Sequence, residues 1–151
     1  MAKRKQYDHS AYLDKVATVS NLRKTITIAA KTLKKYEFDT IAFRGMSGAL
    51  PAIPLALCLK KEFIFVRKDF DVNTGSHSYR QVEGHKSVKR YVIIDDLICT
   101  GNTLKEIVKH IHKFAPEAKC IGVLLTDTSM NKLRIFDVNK KDKECLKVED
   151  K

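Results

Sequence analysis

The segment Tyr91-Val92-Ile93-Ile94-Asp95-Asp96-Leu97-Ile98-Cys99-Thr100-Gly101-Asn102-Thr103-Leu104 constrains the fold of this chain more than any other. Four successive apolar or aromatic residues show no alternation, so as a strand they are covered on both faces, as in a parallel sheet. Two carboxylates stand at the C-terminal end of that strand, and a Thr-Gly-Asn-Thr turn then opens a helix. In open α/β sheets, ligands bind at the carboxyl ends of the strands. A helix N-terminus there offers free backbone N–H groups and the positive end of its dipole to an anion. Two carboxylates beside such a cradle can hold vicinal hydroxyls and help to place Mg²⁺. Together these groups describe a site for a ribose 5-phosphate.

The rest of the chain alternates in the same way. Ser20 or Asn21 is expected to cap a helix running to about Tyr36, with Leu22, Ile26, Ala29, Ala30 and Leu33 on one face. Thr40-Ile41-Ala42-Phe43 reads as a buried strand, followed by Arg44-Gly45-Met46-Ser47-Gly48 and a helix from Ala49 to about Leu59. Pro51 and Pro54 then fall near the start of that helix, where proline is tolerated. Phe63 to Val66 is the next strand, and residues 67–89 show neither periodicity. Loops of such length in compact domains are commonly lids or binding loops. After the signature strand, a helix is expected from Asn102 to about Phe114, stopped by Pro116. Lys119 to Leu125 reads as a buried strand, Leu133 to Val138 as a half-exposed one, and Lys140 to Lys151 as a charged, frayed end.

These elements predict one α/β domain, a Rossmann-like parallel sheet flanked by helices. Its core is expected over about residues 21–127, a small hood over about 1–20 and 128–138, and a charged tail over 139–151. Cys58, Cys99, Cys120 and Cys145 form no Cys-x-x-Cys pair and suit neither a zinc site nor a disulfide framework. Cys58 and Cys120 lie in apolar segments and are expected in the core. No apolar stretch approaches the roughly 18 residues that span a bilayer, and no hydrophobic segment follows the basic N-terminus. A cytoplasmic protein with reduced thiols is the expectation.

Two further groups carry chemistry. Arg44 to Gly48 again joins a strand to a helix, and its glycines permit φ > 0 and close backbone approach, so the loop can wrap a pyrophosphate. Arg67 and Lys68 place a bidentate fork and a point charge at a strand end, suited to neutralising phosphates.

On these residues the chain resembles the type I phosphoribosyltransferases, whose signature is four apolar residues, two acidic residues and a loop ending Thr-Gly-x-Thr/Ser. Asn102 stands where many members carry a second glycine. The resemblance spans roughly Thr40 to Asp127. It implies transfer of a 5-phosphoribosyl group from phosphoribosyl pyrophosphate to a nucleobase nitrogen, with Mg²⁺ as cofactor and pyrophosphate leaving. It implies that Asp95 and Asp96 hold the ribose hydroxyls and the metal. The 5′-phosphate falls to Cys99, Thr100, Gly101, Asn102 and Thr103, and the pyrophosphate to Arg44, Gly45, Met46, Ser47, Gly48, Arg67 and Lys68. His77 and Arg80 lie in the place of the family's mobile catalytic loop, as candidates to reach the leaving group. It also implies a homodimer, since a neighbouring subunit often completes the site in such enzymes.

Phe65-Val66-Arg67-Lys68 resembles a segment of orotate and adenine enzymes, and Val82-Glu83-Gly84 resembles the loop exit of the orotate type. Cys99 replaces the acidic residue that 6-oxopurine enzymes commonly place three positions after the acidic pair. A thiol with a reference pKa of about 8.5 is a poor substitute for it. Orotate-like or adenine-like acceptors are therefore expected ahead of hypoxanthine and guanine. Orotate enzymes commonly carry a loop lysine as well, and residues 69–85 contain none.

The net charge of +11, from 29 Lys and Arg against 18 Asp and Glu, leaves a competing reading. A non-catalytic regulator of the same fold, sensing the sugar pyrophosphate and binding nucleic acid, would also be basic. Against it, no aromatic-interleaved basic stretch or nucleic-acid module is visible. Attraction of an anionic substrate explains the charge as well.

Overall fold

A computed structural model describes residue 13 and residues 17–69, 80–96, 101–126, 129–136 and 146–148. In chain order these form α1 (Val19–Leu33), β1 (Thr40–Phe43), α2 (Gly45–Leu59), β2 (Glu62–Val66), β3 (Val82–Gly84), β4 (Arg90–Asp95), α3 (Asn102–Phe114), β5 (Lys119–Leu125), β6 (Ser129–Phe136) and β7 (Leu146–Val148). The strands join in one seven-stranded sheet of order β3-β2-β1-β4-β5-β6-β7.

The expected parallel sheet is its centre: β1 pairs in parallel with β2 and β4, and β4 with β5. The outer strands β3, β6 and β7 are antiparallel, so the whole sheet is mixed. Strand β3 comes from the Val82-Glu83-Gly84 stretch, which has no strand periodicity of its own; its partner β2 supplies the pairing. Strand β7 lies in the tail expected to fray, and pairs Arg134↔Val148, Ile135↔Lys147 and Phe136↔Leu146 with β6. The stretch 128–138, assigned to a hood, supplies β6 to the sheet.

The alternation of side chains along the central strands divides the core. Ile41, Phe43, Val92 and Ile94 face one side, where Ala29, Ala30 and Leu33 of α1 and Ala52, Leu55 and Ala56 of α2 cover them. Ala42, Ile64, Ile93 and Val123 face the other side, under Leu104, Ile107 and Ile111 of α3. That two-sided cover is why these strands read as unbroken apolar runs. Thr32 of α1 also ties the helix to β6, donating its hydroxyl to the Met130 carbonyl at 2.7 Å.

Local chemistry sets the helix ends. Thr18, rather than Ser20 or Asn21, caps α1, accepting the Asn21 N–H at 3.2 Å. Helix α2 begins at Gly45, four residues before its expected start, so Pro51 and Pro54 lie inside it. Each proline removes an intrahelical donor, and packing of Ala52, Leu55 and Ala56 against the sheet offsets the loss. The helix ends on Lys60 in the left-handed region, φ 54°. Cys120 is half-buried, and burial pushes its thiol up to about 11. Cys58, expected in the core, is instead exposed on α2. The apolar run that surrounds Cys58 is helical, and only one stripe of the helix faces the sheet. No helix among the described residues is long and apolar enough to cross a membrane.

Candidate functional site

The chain leaves β1 toward β2 on one side and returns to β4 on the other, so the strand order reverses between β1 and β4. Such a switch point opens a crevice at the carboxyl ends of the two strands. The Arg44–Gly48 segment follows β1 there, and Asp95 and Asp96 end β4 beside it.

Two glycines of the first loop serve different ends. Gly45 takes φ 68°, which lets the chain turn from strand directly into α2. At Gly48 the requirement is space: a Cβ would lie 3.0 Å from Phe43 Cβ and 3.1 Å from the Ile94 carbonyl oxygen. The first turn of α2 is thus pressed onto the end of β4. Helix α3 starts after Gly101, at φ 76°. Among the described residues, neither α2 nor α3 has a side-chain cap at its N-terminus. A helix first turn without such a cap presents backbone N–H groups to an anion.

Asp95 is buried at the end of β4. Its backbone carbonyl accepts the Thr126 N–H at 2.9 Å, which fixes it against the end of β5, and its carboxylate accepts the Asp96 N–H at 2.9 Å. Burial pushes its carboxyl up to about 7, helped by the neighbouring Asp96 carboxylate; the Asp96 N–H and the Arg44 cation pull the other way. Asp96 is half-buried.

The cations expected on the pyrophosphate have protein partners. Arg44 is buried, and its guanidinium donates to the Val66 carbonyl at 3.4 Å, to the Arg67 carbonyl at 2.9 Å and to the Glu106 carboxylate. It therefore joins the end of β2 to α3. Arg67 lies 5.2 Å from the centre of the Phe65 ring and pairs with Glu83 of β3 at 3.1 Å. Its buried Nε has no hydrogen-bond partner among the described residues. Lys68 is exposed.

A short network holds the Arg67–Asp69 segment. Gln81 donates its amide to the Arg67 carbonyl at 2.6 Å and to the Asp69 carboxylate at 3.0 Å, and His110 of α3 pairs with Asp69 at 3.2 Å. The structure thus gathers Arg44–Gly48, Arg67, Lys68, Asp95, Asp96, Gly101, Asn102 and Thr103 on elements that meet at one end of the sheet. His77, Cys99 and Thr100 lie outside the described residues. Sequence reasoning missed Gln81, Glu83, Glu106 and His110 as partners of the site. Glu83 stood out only as part of the Val82-Glu83-Gly84 stretch, and nothing local reveals what any of the four holds, because the groups they hold lie 12 to 62 positions away.

A family model described as a phosphoribosyl transferase domain matches residues 11–151. The chain belongs to that family. Among curated relatives, it is 31% identical to the adenine phosphoribosyltransferase of Mycoplasmopsis agalactiae over 122 residues, covering 73% of this chain and 71% of that one. To the orotate phosphoribosyltransferase of Thermotoga maritima it is 24% identical over 96 residues, 64% of this chain and 49% of the relative. The chain thus spans about half the length of that orotate enzyme. The solved adenine phosphoribosyltransferase of Thermoanaerobacter pseudethanolicus superposes with a TM-score of 0.55 at 25% identity, covering 70% of this chain and 67% of that one. The Saccharomyces cerevisiae adenine enzyme, solved with adenine, gives 0.58 at 20% identity over 76% and 72%, a likeness of fold.

Proposed function

We propose that the chain is a type I phosphoribosyltransferase enzyme that transfers 5-phosphoribosyl from phosphoribosyl pyrophosphate to a nucleobase nitrogen and releases pyrophosphate. What carries the reading is one arrangement: two helix N-termini without side-chain caps beside the Asp95–Asp96 pair at the β1–β4 switch point. The Gly101–Thr103 turn and its predecessors Cys99 and Thr100 take the 5′-phosphate. Asp95 and Asp96 take the ribose hydroxyls. Gly45 to Gly48 and Lys68 take the pyrophosphate, with Arg67 turning to it from Glu83. Arg44 acts through these groups, as the buried tie that positions Arg67 and α3. His77 and Arg80 are proposed for the leaving group.

The donor set fits Mg²⁺. Two carboxylate oxygens are hard ligands, and Mg²⁺ is characteristically held by one or two carboxylates together with substrate phosphates. When bound, Mg²⁺ would neutralise charge on the phosphates. The protein's own part is positioning and electrostatics: fixed amides and cations hold the donor in line for attack at C1′. Asp95 is held near the protonation boundary at neutral pH, so a cation brought beside it favours its charged form.

Orotate-like or adenine-like acceptors fit best, since Cys99 is not acidic and the relatives matched bear those two names. A cytoplasmic homodimer completes the proposal. Pyrophosphate release on mixing with phosphoribosyl pyrophosphate and each of orotate, adenine, guanine and hypoxanthine tests it. Turnover with orotate or adenine is the expected result; turnover with guanine or hypoxanthine alone would overturn the ranking. The +11 charge favours a second reading, a non-catalytic regulator that binds nucleic acid. Absence of pyrophosphate release with every one of these bases, together with salt-sensitive RNA binding, would support that one.

A further inference from the structure

A cavity of about 400 Å³ opens between the chain around β3 and helix α3. Arg80 and Lys86 line it from the chain around β3, and His110 and Lys113 line it from α3. Val82 and Phe114 form an apolar wall. These α3 residues follow Asn102 by 8 to 12 positions. At about 1.5 Å of rise per residue, they stand roughly 12–18 Å along the helix from its N-terminus.

The charge in this cavity is one-sided. Among the described residues no carboxylate lines it, although Asp69 sits behind His110 and Gln81, and neither Lys86 nor Lys113 makes an ion pair there. Like charges converging on a concave, partly apolar surface repel one another, and a bound anion offsets that cost. A basic rim on an apolar wall also selects the shape of ligand: an anionic head joined to an apolar or planar body. The volume lies within the range of about 300–1,000 Å³ common for small-molecule sites.

We propose that this cavity is a second ligand site, which binds a nucleoside monophosphate with its phosphate on Lys86 and Lys113 and its base against Val82 and Phe114. The lysines supply charge-assisted bonds to the phosphate, and the aromatic wall favours a flat ring. The site stands whether or not the chain is a transferase, because none of these four residues is assigned a part in that reaction. Its occupancy does bear on the candidate site. Gln81, which also lines the cavity, holds the Arg67 carbonyl and Asp69, and His110 holds Asp69 from α3. A ligand there touches two of the groups that hold the Arg67–Asp69 segment.

The test is a ¹⁵N-resolved titration of the full chain with adenosine monophosphate, adenosine and inorganic phosphate, in the native protein and in Lys86→Glu/Lys113→Glu. Both lysines are exposed, so the double variant is expected to fold. Amides of Val82, Lys86 and Lys113 report the cavity, and those of Gly101 to Thr103 report the β4–α3 turn. Adenosine monophosphate is expected to move the cavity set, with affinity falling by about tenfold or more in the double variant, which removes two charge-assisted contacts. Binding read at Gly101 to Thr103 is expected to stay unchanged. Should the charge reversals unfold the chain, Lys86→Gln/Lys113→Gln carries the same test with a loss of about threefold. A cavity set that stays still at millimolar nucleotide would overturn the proposal. So would equal binding of adenosine or of inorganic phosphate, or unchanged affinity in the variants.

Discussion

Asp95 combines burial with a raised carboxyl, and the two facts set its contribution to stability and to function against each other. A carboxyl whose folded pKa is raised above its unfolded value of about 3.9 contributes stability that is complete below that value and lost as pH rises through the folded pKa. For Asp95 that window runs from about pH 4 to about 7. The ligand-free protein therefore loses stability over this range through Asp95. Asp95→Asn is expected to raise Tm at pH 7.5 by about 3 °C or more, while cutting turnover by on the order of 10²-fold or more. Asp96→Asn is expected to cut turnover similarly. Calorimetry and pyrophosphate release on the same preparations check the pair, and full activity in both variants would sink the ribose assignment. Asp39 has the opposite sign. Burial pushes its carboxyl up, but hydrogen bonds from Thr40, Arg90 and Lys89 outweigh this and hold it below the ordinary value. Its stability is present above an unfolded pKa of about 3.9 and is lost as pH falls through the lower folded one. The Arg44–Glu106 pair is intermediate in exposure, its side chains 5% and 50% accessible. Exposed pairs are worth about 0–1 kcal/mol, and breaking buried ones costs about 3–5. Glu106→Gln is therefore expected to cost about 1–2 kcal/mol in urea unfolding, since Arg44 keeps its two carbonyl acceptors.

Among the elements, those written in local pattern were legible and those made by distant partners were not. Helix α3 follows its periodicity from Asn102 to Phe114, and β1, β2, β4 and β5 follow their apolar runs. Each of these is decided by side chains within a few positions. Strand β3 exists because Val82, Glu83 and Gly84 pair with Val66, Phe65 and Ile64, and no pattern in three residues announces that. The start of α2 was hidden for another reason. Pro51 suggested a helix beginning beside it, whereas Gly45 turns the chain four residues earlier and packing carries the helix through both prolines. The same limit applies to the site. The acidic pair and both loops were visible as motifs, but Arg67 turning to Glu83 and Arg44 to Glu106 depend on folding that brings remote segments together. The C-terminus of α2 also carries a correctable strain. Lys60 occupies the left-handed region at φ 54°, where glycine has no Cβ penalty. Lys60→Gly is expected to stabilise the chain by up to about 1 kcal/mol, read as a higher urea midpoint at unchanged slope.

At the scale of the whole molecule, α2 has more apolar surface than one chain covers. One stripe of it packs on the sheet through Ala52, Leu55 and Ala56. On the outside, Met46, Ile53 and Leu57 are 62%, 45% and 82% exposed, although large apolar side chains are more often buried. These three positions, with half-buried Leu50 among them, follow one another at spacings of four, three and four. That is the spacing of a helix–helix seam, and every member lies on one face. A helix that is apolar all round is normally buried on all sides. A second copy offers the same stripe, so a two-fold axis beside α2 would set seam against seam, the self-complementary contact of the commonest soluble oligomer. The first turn of α2 belongs to the candidate site, so such a contact would also brace the Arg44–Gly48 loop. The chain is therefore expected to sediment as a dimer at micromolar concentration. Leu57→Glu places a charge on the most exposed member of the seam without touching the core and is expected to give a folded monomer with reduced turnover. A wild-type chain that is monomeric and fully active would refute this, and so would a Leu57→Glu variant that remains dimeric.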